Sequence, residues 1–178
     1  MKDPLVHKSK HLSLVLRHQP ESVGLTLDSA GWVEVSALLP AMKWSMEDLE
    51  AVVRDNNKKR FEFNTDKTKI RACQGHSVEV DLEYDEKEPP DCLYHGTSRN
   101  LLSLLERDGL KKMQRHHVHM SPDVPTALIV ARRRRNPIVL EIWSDQMHRD
   151  DFKFFLSTNG VWLVDHVPSR YFRVLDMT

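Results

Sequence analysis

Cysteine is scarce in this sequence: Cys73 and Cys92 stand alone, far apart. That excludes a disulfide framework and a Cys-x-x-Cys metal site, and two reduced thiols fit a cytoplasmic protein. Nowhere does an apolar run approach the roughly 20 residues that a membrane-spanning helix needs. Met1 to Lys10 carries four charges and no apolar core, so no secretory signal is expected. Net charge is lacking too, with 26 Lys+Arg against 26 Asp+Glu. The balance is even along the chain: residues 1–85 hold 12 against 14, and residues 86–178 hold 14 against 12. Binding nucleic acid through bulk positive charge is thereby excluded, so a phosphate partner must be held by local clusters. Two occur, Lys58-Lys59-Arg60 and Arg132 to Arg135. Internal repeats and low-complexity tracts are absent.

What remains is enough for one good core or two small ones, with 40 % apolar residues in a chain of 178. The acidic stretch Asp81 to Asp91, ending in Pro89-Pro90, offers little to a core and favours an extended linker. It divides the chain into residues 1–85 and 86–178. In the first part Leu12, Val15 and Leu16 recur at helical spacing, and Pro20 stops that helix after Arg17-His18. Trp32-Val33-Glu34-Val35 alternates like a short strand after a turn at Gly31. Ser36 is positioned to cap a helix through Ala37, Leu38 and Leu39. Ser45 and Asp48 form a capping pattern ahead of Leu49, Val52 and Val53. Phe61-Glu62-Phe63 and Lys69-Ile70-Arg71-Ala72 flank the turn-forming Asn64-Thr65-Asp66 and predict a hairpin. Helices followed by such a hairpin suggest a winged-helix lobe.

The second part mixes strands and helices in an α+β pattern. Leu93-Tyr94 runs into a turn at His95-Gly96-Thr97, and a helix follows through Leu101, Leu102, Leu104 and Leu105, stopped by Gly109. Val118-His119-Met120 reads as a short strand. Pro122 and Pro125 precede a helix through Ala127, Leu128 and Val130 to about Arg133. Ile138 to Trp143 is the clearest strand, with Phe152 to Phe155 and Val161 to Leu163 as further ones.

Several residues suit polar or anionic ligands. His95-Gly96-Thr97 could present a backbone N–H, a hydroxyl and an imidazole, with glycine allowing close approach to the main chain, or be an ordinary turn. Arg17-His18 at a helix end pairs a fixed cation with a group that titrates near neutrality, which suits a phosphate as well as a solvated terminus. Arg71 is either an edge charge or an arginine held by a sheet to face an anion. The Arg132 to Arg135 run complements a helix dipole, and at most one or two of its members can serve a site. His116, His117 and His119 raise the question of a metal, and alternation would put His117 and His119 on one strand face. No nearby acid or cysteine completes a zinc set, so no metal is expected.

Taken together, certain segments resemble one family, the RNA 2′-phosphotransferases that act on spliced tRNA in eukaryotes. They are Ser9 to His18, Gly31-Trp32-Val33, Lys58-Lys59-Arg60-Phe61, Ile70-Arg71-Ala72 and Gln74-Gly75-His76-Ser77. The second part adds Leu93-Tyr94-His95-Gly96-Thr97, Val118-His119-Met120-Ser121 and Asn159-Gly160-Val161-Trp162-Leu163. The resemblance implies a winged-helix lobe over 1–85 that binds RNA and phosphate. It implies an NAD-binding lobe of the ADP-ribosyltransferase type over 86–178. It also implies a catalytic quartet, of which the first three members fall on Arg17, His18 and Arg71. The fourth belongs to a Gly-x-Arg-His-Gly-like segment, read here as Ala131 to Arg135, which puts it at Arg133 with Arg132 as the alternate. By the same resemblance His95, Gly96, Thr97, His119 and Ser121 are NAD contacts. The implied reaction removes an internal RNA 2′-phosphate through an ADP-ribosylated RNA, with NAD as co-substrate, in a cytoplasmic monomer. An ADP-ribosyltransferase acting on protein or nucleic-acid ends is the alternative, as is a non-enzymatic winged-helix binder.

Overall fold

The computed structural model describes residues 4–56 and 59–175. Among them no helix is long and apolar enough to cross a membrane. The chain divides into two compact units, one up to Glu83 and one from Tyr84 onward.

In the first unit α1 (Pro4–Arg17) buries Leu12, Val15 and Leu16 as its spacing predicts. A 3-10 turn at Pro20–Val23 follows, ended by Gly24 in the left-handed conformation. Then come β1 (Val33–Glu34), α2 (Val35–Met42), α3 (Met46–Arg54), β2 (Phe61–Phe63) and β3 (Lys69–Ala72). The predicted hairpin forms with Glu62 opposite Arg71, and β1 pairs on the other side of β3 to give an antiparallel sheet β1-β3-β2. Asn64 closes the turn by accepting from the main chain of Lys69 at 2.8 Å. The predicted capping pattern at α3 forms in both directions, Ser45 to Asp48 and Asp48 back to Ser45. Ser36 does not cap α2, because the helix already begins at Val35, after Glu34. Leu12, Leu16, Leu38, Leu49, Ile70 and Ala72 close one core, which seats α1 on β3.

The second unit opens with β4 (Leu93–Ser98), α4 (Leu102–Asp108), β5 (Leu110–Lys111) and β6 (Val118–Met120). It continues with α5 (Val124–Ala131), β7 (Pro137–Ile142), α6 (Ser144–Arg149), β8 (Phe154–Leu156), β9 (Trp162–Val164), β10 (His166–Val167) and β11 (Phe172–Val174). Three antiparallel sheets result, ordered β11-β7-β4, β6-β9-β8 and β5-β10. The apolar run at Ile138 becomes the central strand of the first, with Val139, Leu140 and Ile142 fully buried. Gly109 ends α4 as expected, and a Cβ there would lie 2.4 Å from the carbonyl oxygen of Val167.

Two expectations need correction. His95-Gly96-Thr97 is not a strand-to-turn junction but lies inside β4, paired in register with Leu140, Val139 and Ile138 of β7. The stretch after Asp81 is not a free linker throughout. Lys87 donates its N–H to the Phe154 carbonyl at 2.8 Å, and the Pro90 carbonyl accepts from the Ser144 hydroxyl at 2.6 Å.

Candidate active site

The first unit gathers the charged residues singled out near its sheet. Arg17 and His18 leave the C-terminal end of α1, and the segment after β3 folds onto them. Ser77 donates its N–H to the Arg17 carbonyl at 2.9 Å, and its hydroxyl shares a hydrogen bond with His18 Nδ1, also 2.9 Å. Gly75 has φ +87°, a conformation that favours glycine, and a Cβ there would sit 3.6 Å from Arg17 Nη1. Nε and Nη2 of Arg17 are buried, whereas His18 is exposed.

Arg71 is more tightly held. Its Nε donates to Glu62 Oε1 at 2.7 Å, its Nη1 donates to the Ala30 carbonyl at 3.2 Å, and the guanidinium lies 4.4 Å over the Trp32 ring. It is therefore not a loose edge charge. Sequence reasoning missed Glu62, although the hairpin register that places it opposite Arg71 was readable in the pattern. Of the basic cluster at 58–60, Lys58 lies outside the described residues. Arg60 is partly desolvated, which lowers its pKa, and it donates to Asn56 Oδ1 at 3.1 Å.

In the second unit the structure brings His95, His119 and Ser121 together. The Nδ1–H of His95 donates to the His119 carbonyl at 2.8 Å. Tyr94 and Ser121 exchange main-chain hydrogen bonds at 2.9 and 2.8 Å. With Nδ1 carrying the proton, the neutral His95 ring keeps Nε2 as an acceptor. Burial, chiefly, pushes the His95 pKa down; the charges of Arg134 and Arg115 add to this, and the His119 carbonyl opposes it. Arg115 also reaches the side chain of His119, Nη1 to Nδ1 at 3.3 Å. A guanidinium only donates, so His119 Nδ1 accepts and its proton sits on Nε2. The two imidazoles thus hold opposite tautomers.

Gly96 has a role other than the one its sequence suggests. Alternation along β4 turns it away from His95 and Thr97, toward α5. An added Cβ would meet the Ala127 carbonyl oxygen at 2.1 Å and the Ala131 nitrogen at 2.7 Å. The glycine lets a helix, not a ligand, approach the main chain. Thr97 is buried on the face that carries His95.

The arginine run stands at the C-terminal end of α5, as expected, with Arg132 as the cap that donates its N–H to the Leu128 carbonyl at 2.9 Å. α5 stops at Ala131, and Arg132 to Arg135 form the exposed turn leading to β7. Arg134 and Arg115 are arginines whose charges lower the His95 pKa. The histidine cluster also separates. His117 precedes β6 and packs its ring against Phe155 at 5.5 Å and Tyr84 at 6.2 Å, with its pKa lowered mainly by burial. Among the described residues no group of three His, Cys, Asp or Glu is placed to hold a metal ion.

Comparison with known proteins extends these observations. Residues 3–166 match the family described as RNA 2′-phosphotransferase, Tpt1/KptA family. A protein of Flavobacterium johnsoniae named "Probable RNA 2′-phosphotransferase" is 51 % identical over 168 residues, covering 92 % of each chain. Proteins of the same name from Burkholderia pseudomallei and Streptomyces coelicolor are each 49 % identical, covering 93 % and 94 % of this chain and 92 % and 94 % of their own. A family match over most of the chain, together with relatives of nearly equal extent, establishes that this chain belongs to the RNA 2′-phosphotransferase family of enzymes.

Proposed function

We propose that the enzyme removes an internal 2′-phosphate from RNA by transferring it to the ribose of NAD. The match over residues 3–166 carries this reading, because it spans every residue given a role here. On this reading the first unit is a winged-helix lobe, and its three helices and three-stranded sheet are of the right composition. The second is an NAD-binding lobe of the ADP-ribosyltransferase type.

The chemistry follows from the side chains. In the first step an oxygen of the RNA 2′-phosphate bonds to C1″ of the nicotinamide ribose as the C1″–N bond breaks, and neutral nicotinamide leaves. Here the protein has mainly to position an anion already charged, the task of Arg17, His18 and Arg71. In the second step the ribose O2″ loses its proton and bonds to phosphorus, while the bond from phosphorus to the RNA 2′-oxygen breaks. The RNA oxygen takes up a proton and becomes a hydroxyl, and ADP-ribose 1″,2″-cyclic phosphate is released. Charge shifts onto the phosphoryl oxygens in this step, where guanidinium N–H groups stabilise it most. His18 orients the phosphate or supplies the proton to the departing oxygen. The acceptor Nε2 of His95 and the donor Nε2 of His119 suit the hydroxyls of a ribose, with Thr97 and Ser121 as further NAD contacts. Arg133 is the fourth member of the quartet.

The reading is tested by supplying NAD with RNA of one sequence, with and without an internal 2′-phosphate, in the presence of excess chelator. Nicotinamide is expected only with the 2′-phosphorylated RNA, and undiminished by the chelator. Release with unmodified RNA, or onto protein, would favour an ADP-ribosyltransferase. Loss in chelator with rescue by Zn²⁺ or Mg²⁺ would refute a metal-free mechanism.

A further inference from the structure

We propose that Glu62 and Trp32 are positioning residues for Arg71, together fixing which N–H groups of its guanidinium are offered to the RNA phosphate. The proposal rests on the reading of Arg71 as a phosphate ligand.

An arginine side chain is long and has many rotamers, so one left to itself would bind an anion in many poses. Arg71 is restrained from three directions by two separate segments, β2 and the turn before β1. Glu62 sits directly across the β2–β3 pair, so both side chains leave the same face of the sheet. Its carboxylate takes the Nε–H at 2.7 Å. The Ala30 carbonyl, from the turn before β1, takes one Nη1–H at 3.2 Å. The Trp32 ring supports the flat face of the guanidinium at 4.4 Å. With the side chains of Arg71 and Glu62 only 15 % and 24 % exposed, this differs from the solvated ion pairs that contribute little on a protein surface.

The arrangement has a directional consequence. A guanidinium carries five N–H groups, of which the two held by Glu62 and Ala30 are committed. The three left are all on the Nη nitrogens, the end of the fork that can meet two phosphate oxygens at once. Glu62 also balances the charge of Arg71, so the site recognises an anion by aimed N–H groups more than by positive charge. That agrees with a chain of zero net charge.

A structural cross-strand ion pair would use the same two residues, so the test must separate the roles. The two steps are followed in single turnover with labelled 2′-phosphorylated RNA, for Glu62→Ala, Glu62→Asp, Glu62→Gln, Trp32→Ala and Trp32→Phe. Glu62→Ala and Trp32→Ala are expected to slow the second step roughly ten- to a hundredfold, as misplacement of a reacting partner does. Nicotinamide release should change far less. Glu62→Gln keeps an oxygen to accept from Nε and should be largely rescued, as should Trp32→Phe. Glu62→Asp keeps the charge but falls short of Nε and should be impaired while staying folded. In an Arg71→Ala background, Glu62→Ala should cause no further loss. Wild-type second-step rates for Glu62→Ala and Glu62→Asp, or a loss that multiplies fully with that of Arg71→Ala, would overturn the proposal. Wild-type rates for Arg71→Ala alone would overturn the reading of Arg71 itself, and the proposal with it.

Discussion

The carbonyl oxygen of Ala127 lies 2.1 Å from the point where a Cβ on Gly96 would stand. That distance is less than any real contact, and the neighbouring atom is helix backbone, which cannot rotate away. Gly96→Ala must therefore push α5 off β4. The expected cost is at least the roughly 1–3 kcal/mol of overpacking a close-packed interior. Gly160 offers the control, since it has φ +79° but nothing within 4 Å of an added Cβ. Gly160→Ala should cost only about 1 kcal/mol, from backbone conformation alone. Thermal unfolding of both variants checks this, and equal small losses would show that the β4–α5 approach is more yielding than described.

Acid should weaken the fold through His95 and His117. Burial holds both pKa values below the usual histidine range in the folded chain. As pH falls through that usual range, the unfolded chain takes up protons that the folded chain does not, so stability falls with pH. Denaturant unfolding at pH 7.5 and 5.5 should show this loss in the wild type and a smaller one in His95→Gln and His117→Gln. An unchanged loss in both variants would mean that other groups are responsible.

The proposed phosphate clamp predicts which step suffers. Interactions that strengthen only as phosphorus changes geometry affect the second step more than the first. Arg17→Ala, His18→Ala and Arg71→Ala should each let ADP-ribosylated RNA accumulate in a time course where the wild type shows little. Loss of one hydrogen bond to a charged donor, on the order of 1.5–3 kcal/mol, corresponds to roughly ten- to a hundredfold in rate. Substitutions at Thr97 or Ser121 should instead slow nicotinamide release and leave no intermediate.

Arg133 and Arg132 separate the assignment of the fourth arginine. Both stand in the exposed turn after α5, so neither substitution should affect folding. Arg133→Ala should accumulate the intermediate, and Arg132→Ala should be milder. The reverse order in the same time course would move the role to Arg132.

Much of this was legible in the sequence where local rules govern. The Leu12-Val15-Leu16 spacing, the Ser45–Asp48 box, the hairpin about Asn64 and the Gly109 stop are all decided within a few residues of one another. The misreadings arise where a distant segment decides. Nothing near Gly96 announces that α5 will lie on it, so a glycine between His95 and Thr97 looks like a turn. Glu34 already precedes the first turn of α2, which leaves Ser36 no cap to make. The hairpin register sets Glu62 opposite Arg71, but nothing within the hairpin announces that Ala30 and Trp32 will close around that arginine.

The most direct measurement follows the phosphorus atom. RNA carrying one internal 2′-phosphate labelled at phosphorus is incubated with the enzyme and NAD, and the labelled products are identified by mass. The label should pass through an RNA–ADP-ribose adduct and finish in ADP-ribose 1″,2″-cyclic phosphate, with one nicotinamide released per phosphate removed and the RNA left with a 2′-hydroxyl. Label appearing as free inorganic phosphate, or leaving the RNA without NAD, would contradict transfer to NAD as the activity of this chain.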